Sequence, residues 1–300
     1  MALTFASRSG RDGAVLPFLR RFSRSFDLAG LGPSLARSGP LEARLATSKK
    51  DVRRAQKLRY RVFFEEGGAT PDSTARLIRR DVCRFDRVAD HLIVVDRSET
   101  YRDGSPRIVG VYRLLRQDVA ARNFGFYSAA EFDVESLIAR RPDMRFLEVG
   151  RACIASTHRG RRVLELLWRG LWDYARHHGI DAMIGCASLP GADAAAHAGA
   201  IRALAAEGGD SAWRVLPRPD RLDPSLAEVA GRPADLRALV RVMPPLVKGY
   251  WRLGATFSPI PVVDRAFNTT DVFVVMPLAE IEDRYLQYFG VEAVGRPFAA

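Results

Sequence analysis

Apolar positions along the chain alternate between a helical period and a strand period. In residues 50–64 (KDVRRAQKLRYRVFF), Val52, Ala55, Leu58, Val62 and Phe63 recur at helical spacing, and Gly67 and Gly68 follow as a stop. His91–Val95 (HLIVV) and Arg107–Leu115 (RIVGVYRLL) are rich in β-branched residues and predict strands. Phe146–Ile154 (FLEVGRACI) predicts another. Leu164, Leu167, Leu171, Tyr174 and Ala175 make one face of a helix from about Arg161 to His177. Gly179 stands where a left-handed C-terminal cap belongs, and Asp181–Cys186 (DAMIGC) predicts a short buried strand directly after it. Strand, helix and strand in that order predict a crossover onto one sheet. Ala192–Ala206 predicts a further helix and Pro217–Pro233 a loop or insert. Met243–Val247 opens a last section whose clearest strand is Val272–Met276. The order predicts an α/β fold, a mixed central sheet flanked by helices in one domain.

Composition narrows the class. Apolar residues make up 47% and charged residues 27%, as in ordinary globular chains. The longest apolar run, Val272–Ala279, is eight residues, far short of the about 20 that a bilayer requires. An integral membrane protein is not expected. Three cysteines make no disulfide framework and suit a reducing compartment. The start, MALTFASRSG, has no apolar core of a signal peptide, so a cytoplasmic location is expected.

Charge changes the picture further. There are 46 Lys and Arg against 35 Asp and Glu, a net charge of +11, and all but four of the basic residues are Arg. Such a balance points to an acidic partner or to a high-GC codon bias. Residues 1–45 form a basic segment in which Phe18, Leu19, Phe22 and Phe26 alternate with Arg20, Arg21 and Arg24. This segment suits either a frayed tail or a peripheral contact with an anionic inner membrane. The folded domain is expected over 46–295.

The candidate chemistry starts at the turn Ser156–Val163, between a central strand and the long helix. A helix N-terminus offers unpaired N–H groups and partial positive charge. Arg159, Gly160, Arg161 and Arg162 add a tight turn and three cations, a site suited to a phosphate. Cys153 is expected to be a buried small residue, because no histidine and acid accompany it. Trp168 and Trp172 are expected to pack the core, and His91 to be structural. No His/Cys cluster has metal-ligand spacing, so no metal is expected.

The strand, Arg-Gly turn and long helix resemble the phosphopantetheine-binding motif of the GNAT acyltransferase superfamily. Here Arg161, Arg162 and Val163 stand where that motif carries further glycines. Leu58–Phe63 resembles the Arg-x-x-x-Phe helix of acyl-homoserine-lactone synthases. Asp86 and Asp90 resemble their acidic pair, Val109–Leu115 their Gly-x-x-Arg-Leu-Leu strand, and Leu147–Arg151 their Glu-x-Ser-Arg strand with Gly150 in place of Ser. The chain is most similar overall to a sister family, the ornithine Nα-acyltransferases. That likeness rests on ordered segments from Asp90-His91-Leu92 through Phe146–Arg151, Glu165–Gly170, His178–Asp181 and Gly185–Gly191 to Phe267–Val272.

The resemblance implies transfer of a 3-hydroxyacyl chain from acyl carrier protein to the α-amine of L-ornithine, forming lyso-ornithine lipid. It implies no cofactor beyond the phosphopantetheine of the carrier, and no nucleic acid. Aminolysis of a thioester needs a proton acceptor, an oxyanion site and alignment of the reactants. Glu148 is the expected base, with Arg151 as its catalytic partner. Arg59, Phe63, Asp86, Asp90 and Arg113 are the expected substrate-binding residues, the arginines holding the substrate carboxylate or ordering the acidic residues. Strand alternation sets Glu148 and Arg151 on opposite faces unless a bulge intervenes. Two rival readings carry different signatures. An acyl-homoserine-lactone synthase would use S-adenosylmethionine and carry an aromatic where this chain has Glu65-Glu66-Gly67-Gly68-Ala69. A non-catalytic basic module would bind nucleic acid or membrane in a salt-sensitive way.

Overall fold

The computed structural model describes residues 28, 30–207, 211–223 and 243–282. The chain divides into a segment Met1–Gly32 and a body that begins at Pro33. The basic stretch around Phe18–Phe26, with its expected membrane contact, lies outside the described residues.

The sheet begins earlier than the boundary expected at residue 46. Strands β1 (Ala36–Ser38) and β2 (Leu41–Leu45) form a hairpin, and β2 pairs with β3 (Asp90–Thr100). The reason is burial: Leu41, Ala43 and Leu45 are all in the core. Their short alternation was hidden in a segment dominated by arginine.

Between β2 and β3 lies helix α1 (Lys49–Tyr60). Ser48 caps it by accepting a hydrogen bond from the Asp51 N–H at 3.0 Å. The predicted helix over 50–64 does not stay α-helical. It widens into a π-turn at Arg61–Glu66 that ends at Gly67. The turn brings Phe63 and Phe64 against Phe267, with ring centroids 5.9 and 5.7 Å apart. A short helix α2 (Ser73–Ile78) follows.

Strand β3 pairs antiparallel with β4 (Pro106–Arg116), and β4 with β5 (Phe146–Ile154). Two short helices, α3 (Gln117–Ala121) and α4 (Val134–Arg140), lie between β4 and β5. Helix α5 (Arg161–His177) then crosses to β6 (Ala182–Pro190), which lies parallel to β5. This is the predicted crossover. Gly179, at φ 58°, closes α5 in the left-handed conformation, and the Ile180 N–H returns to the Ala175 carbonyl at 2.9 Å. Helix α5 sits close on the sheet: a Cβ on Gly170 would stand 2.8 Å from Leu92 Cδ1.

The last section carries α6 (Ala194–Glu207), α7 (Pro245–Arg252), β7 (Thr256–Phe257), β8 (Val262–Asp264) and β9 (Thr269–Pro277). The sheet order is β1-β2-β3-β4-β5-β6-β9-β7, with β8 also on β9. Among the described residues, only the β5–β6 pair of this sheet is parallel. An apolar cluster including Phe126, Phe132, Leu137, Phe146, Trp213 and Phe273 packs against it. No helix among the described residues is long and apolar enough to cross a membrane.

Candidate active site

The site arises where β5 and β6 part. Their pairing runs from Phe146↔Ala182 to Glu148↔Ile184 and stops there. Beyond it, β5 stays with β4 while β6 stays with β9. At the fork the backbones touch: a Cβ on Gly185 would lie 2.5 Å from the Val149 carbonyl oxygen, so glycine is required by space. Past the fork opens a cavity of about 560 Å³ lined by Phe63, Arg113, Tyr127, Glu148 and Arg151 among others. A wider basic hollow of about 720 Å³ beside α1, lined by Lys50, Arg53, Arg54, Lys57 and Arg80, shares no residue with it.

Glu148 is buried in the last paired position of β5. The Tyr127 N–H donates to its Oε2 at 2.7 Å, and the Ser128 N–H and Oγ donate to its Oε1 at 2.7 and 2.5 Å. A carboxylate has about four acceptor positions, so three bonds leave one lone pair, on Oε2. These bonds also fix the turn that carries Tyr127.

Arg151 owes its position to a bulge. Arg113 pairs with Gly150 and Val111 with Cys153, so β5 holds one residue more than β4 over this stretch. Arg151 takes φ 54°, a left-handed value uncommon outside glycine. The bulge re-aims its side chain into the same cavity as Glu148. Its guanidinium stacks 4.7 Å from both the Tyr127 and Phe267 ring centroids and pairs with Asp81 at 3.2 Å. Burial acts to lower its pKa, and Asp81 outweighs it, so Arg151 stays charged. Arg113 lies 5.0 Å from the same Tyr127 ring and donates to Cys83 Sγ at 2.7 Å.

The other expected substrate-binding residues are not on the cavity wall. Arg59 is fully buried and donates from both terminal nitrogens to Asp86, at 2.9 and 2.8 Å. Its Nε also pairs with Asp81 at 2.8 Å. Burial raises the Asp86 pKa, but Arg59 overcomes this and holds the carboxyl well below the usual range. Arg59 and Asp86 therefore satisfy each other and support Arg113 and Arg151 from behind. Asp90 is turned elsewhere: it accepts from Tyr174 Oη at 2.7 Å and lies 3.8 Å from Arg116. Of the five expected residues, Phe63 and Arg113 reach the cavity.

His91 is buried, and burial reinforced by Arg59 pushes its imidazole down to about 4, which keeps it neutral. Burial pushes the Cys153 thiol up to about 12, which leaves it unsuited to nucleophilic attack. Trp168 and Trp172 are buried in the core, and Trp168 packs edge-on against Tyr250 at 5.7 Å.

At the N-terminus of α5, Gly160 is the capping residue at φ −120°, and a Cβ there would meet nothing within 4 Å. The tight-turn requirement expected of this glycine is thus absent. Arg159 pairs with Glu66 of the π-turn, and Arg161 donates to Glu165 one turn on at 2.5 Å. Arg161 and Arg162 are exposed in the first turn of the helix.

Sequence spacing missed two spatial clusters. Asp96, Glu99 and His158 converge, as do Glu131, Cys186 and Asp271, each group with ligand atoms within 4.8 Å of one another. Asp271 and Cys186 line the fork cavity. Both belong to segments carrying the family likeness, but their acidic partner Glu131 stands in a turn without a pattern.

Comparison with known proteins finds similar sequences and a similar domain. Residues 58–169 match the model of the acetyltransferase (GNAT) domain. The chain is 47% identical over 261 residues to the L-ornithine N(alpha)-acyltransferase of Agrobacterium fabrum, covering 86% of this chain and 87% of that one. It is 44% identical over 260 residues to the enzyme of the same name from Brucella abortus, covering 86% and 92%. Among solved structures, FeeM, an N-acyl amino acid synthase from uncultured soil microbes, aligns over 80% of this chain and 92% of its own, at 12% identity and a TM-score of 0.45. With relatives this similar over most of its length, the chain belongs to the L-ornithine N(alpha)-acyltransferase family.

Proposed function

We propose that the protein transfers a 3-hydroxyacyl chain from acyl carrier protein to the α-amine of L-ornithine, forming lyso-ornithine lipid. The observation that carries this reading is the fork cavity, in which Glu148 stands beside the guanidinium groups of Arg113 and Arg151. The names of the relatives support the acceptor and the reaction class.

The unpaired edges of β5 and β6 suit an extended pantetheine arm, whose amides can pair with strand backbone. Its phosphate then falls toward the α5 N-terminus, where helix dipole and the arginines at 159, 161 and 162 favour an anion. Backbone N–H groups of β5 past Glu148 face no ladder on β6. They are suited to stabilise the oxyanion of a thioester under attack. Arg113 and Arg151 supply two fixed positive charges for the acceptor carboxylate.

In the reaction, the α-amine nitrogen attacks the thioester carbonyl carbon. Glu148 Oε2, with its remaining lone pair, accepts the proton directly or through a water. The carbon–sulfur bond then breaks, and the carrier thiolate takes the proton that Glu148 accepted, which returns the base to its starting form. An amide and a free carrier thiol result, with no covalent enzyme intermediate and no further cofactor. Since the product is an amphiphile, the basic residues 1–32 are suited to hold the enzyme near an anionic membrane.

Mass spectrometry of lipid extracts from cells expressing the chain tests the reading. It predicts new species with the mass of 3-hydroxyacyl-ornithine. Extracts identical to those of cells without the chain contradict it.

A further inference from the structure

We infer that Glu131 and Asp271 form the subsite for the side-chain ammonium of a dibasic acceptor and so set the enzyme's amino-acid specificity. The inference rests on the proposed acyl transfer and adds to it a named recognition element.

Asp271, on β9, is 7% exposed and lines the fork cavity. Its Oδ1 is buried and has no hydrogen-bond partner among the described residues. Glu131 and Cys186 each place a ligand atom within 4.8 Å of Asp271, and Cys186 Sγ lies 3.8 Å from Glu131 Oε2. A buried unpaired carboxylate oxygen is costly. Two carboxylates this close hold either a shared proton or a cation between them.

The groups around the pair sharpen the choice. Asp264 of β8 adds a third negative charge at the cavity wall and acts with Asp271 on Glu131. Burial, and then Asp271 and Asp264, push the Glu131 carboxyl up to about 7. Arg221 opposes that shift on Glu131, while the Ser188 and Thr269 hydroxyls, and then Arg151 of β5, oppose the upward shift that burial imposes on Asp271. Tyr127 senses Glu131 and Asp264 from its turn. Burial, then Asp271 and Glu131, hold the Cys186 thiol well above its ordinary value, so the thiol adds no negative charge of its own to the pair. An ammonium, compact and with three donors, matches this set.

The cavity wall carries Arg113 and Arg151 together with Asp264 and Asp271, and Glu131 stands near Asp271 without lining the wall itself. Arg113 and Arg151 suit the carboxylate of a free amino acid, and the acidic pair suits the amine at the far end of its side chain. The α-amine between them is left for acylation near Glu148. An acceptor with a neutral side chain would offer no ammonium to the unpartnered Oδ1 of Asp271.

The test compares L-ornithine with 2-amino-5-hydroxypentanoate, in which a hydroxyl replaces the terminal ammonium, at a fixed acyl donor. The wild-type enzyme is expected to favour ornithine by roughly 10²-fold in kcat/KM, the scale of leaving a buried charge unpaired. Its KM for ornithine is expected to fall as pH rises from 6 to 8, because the ammonium displaces the proton shared by the pair. Glu131→Gln and Asp271→Asn are expected to raise the KM for ornithine, leave the KM for the donor unchanged and shrink the preference. Melting curves identify a variant that fails to fold, and the wild-type preference and pH profile then decide. A wild-type enzyme that acylates both acceptors equally well, or folded variants that keep the full preference, overturns the inference while acyl transfer stands. A wild-type protein that acylates neither overturns the proposed function as well.

Discussion

The Arg59 guanidinium holds the Asp86 carboxylate through both terminal nitrogens, at 2.9 and 2.8 Å, in a part of the core closed to solvent. Its Nε faces Asp81, which in turn pairs with Arg151 on the cavity wall. One buried ionic network therefore runs from α1 to the site.

Arg59→Leu removes a cation from between two buried carboxylates. It should destabilise the protein by about 3–5 kcal/mol, the usual cost of breaking a buried pair from one side. Urea unfolding measures this directly, and a loss near zero would mean that the network is not ionic. The pH dependence has a definite sign. Asp86 binds its proton more weakly in the folded than in the unfolded chain, whose value is 3.8. Its contribution is present above pH 3.8 and is lost as pH falls below it.

Glu148→Gln should lower kcat by roughly 10²-fold or more, the scale of a lost general base. The amide also leaves one of the Tyr127 or Ser128 donors facing an N–H₂ group instead of an oxygen. A stability loss of about 1–3 kcal/mol should accompany it. A thiol-release assay beside a melting curve separates the two effects. Turnover close to wild type in a folded variant would remove Glu148 from the mechanism.

Charge reversal of Arg161 and Arg162 to Glu should weaken use of acyl carrier protein more than use of a small pantetheine thioester. Both residues are exposed at the start of α5. An acidic carrier is steered by such charges, which act mainly on encounter. The fold should survive, since acidic residues suit a helix N-terminus. Equal losses with both donors, compared by kcat/KM, would show that these arginines do not read the carrier.

Two truncations should differ sharply. Removing residues 1–32 leaves every described strand of the sheet in place and should lower binding to anionic vesicles. Removing residues 1–45 deletes β1 and β2, with Leu41 and Leu45 buried. At about 2 kcal/mol for each buried leucine, this should cost about 4 kcal/mol or more. Equal melting temperatures for the two truncations would contradict the placement of β2 in the sheet.

The long elements were legible in sequence because each has one strong period and clear ends. Helix α5 and strand β5 have the bounds that their apolar spacing predicts. Strands β1 and β2 were not legible, because three and five residues are too few for a period to show. The candidate site was legible in part. Glu148, Arg113 and Phe63 carry family motifs and reach the cavity. Arg151 required the bulge, which strand alternation alone does not reveal. Arg59 and Asp86 carry motifs too, yet the motif cannot distinguish contact with substrate from support behind it. Glu131 had no signal at all, since its partners Cys186 and Asp271 are 55 and 140 positions away in sequence. The sheet order, with β9 beside β6, brings Cys186 and Asp271 together, and the turn before α4 carries Glu131 to them.

The most direct test is an incubation of the purified protein with 3-hydroxyacyl carrier protein and L-ornithine, analysed by tandem mass spectrometry. The account predicts one free carrier thiol for each acyl-ornithine formed, with fragments that place the amide on the α-nitrogen. An amide on the side-chain nitrogen, or thiol release without any acyl-ornithine, would contradict it.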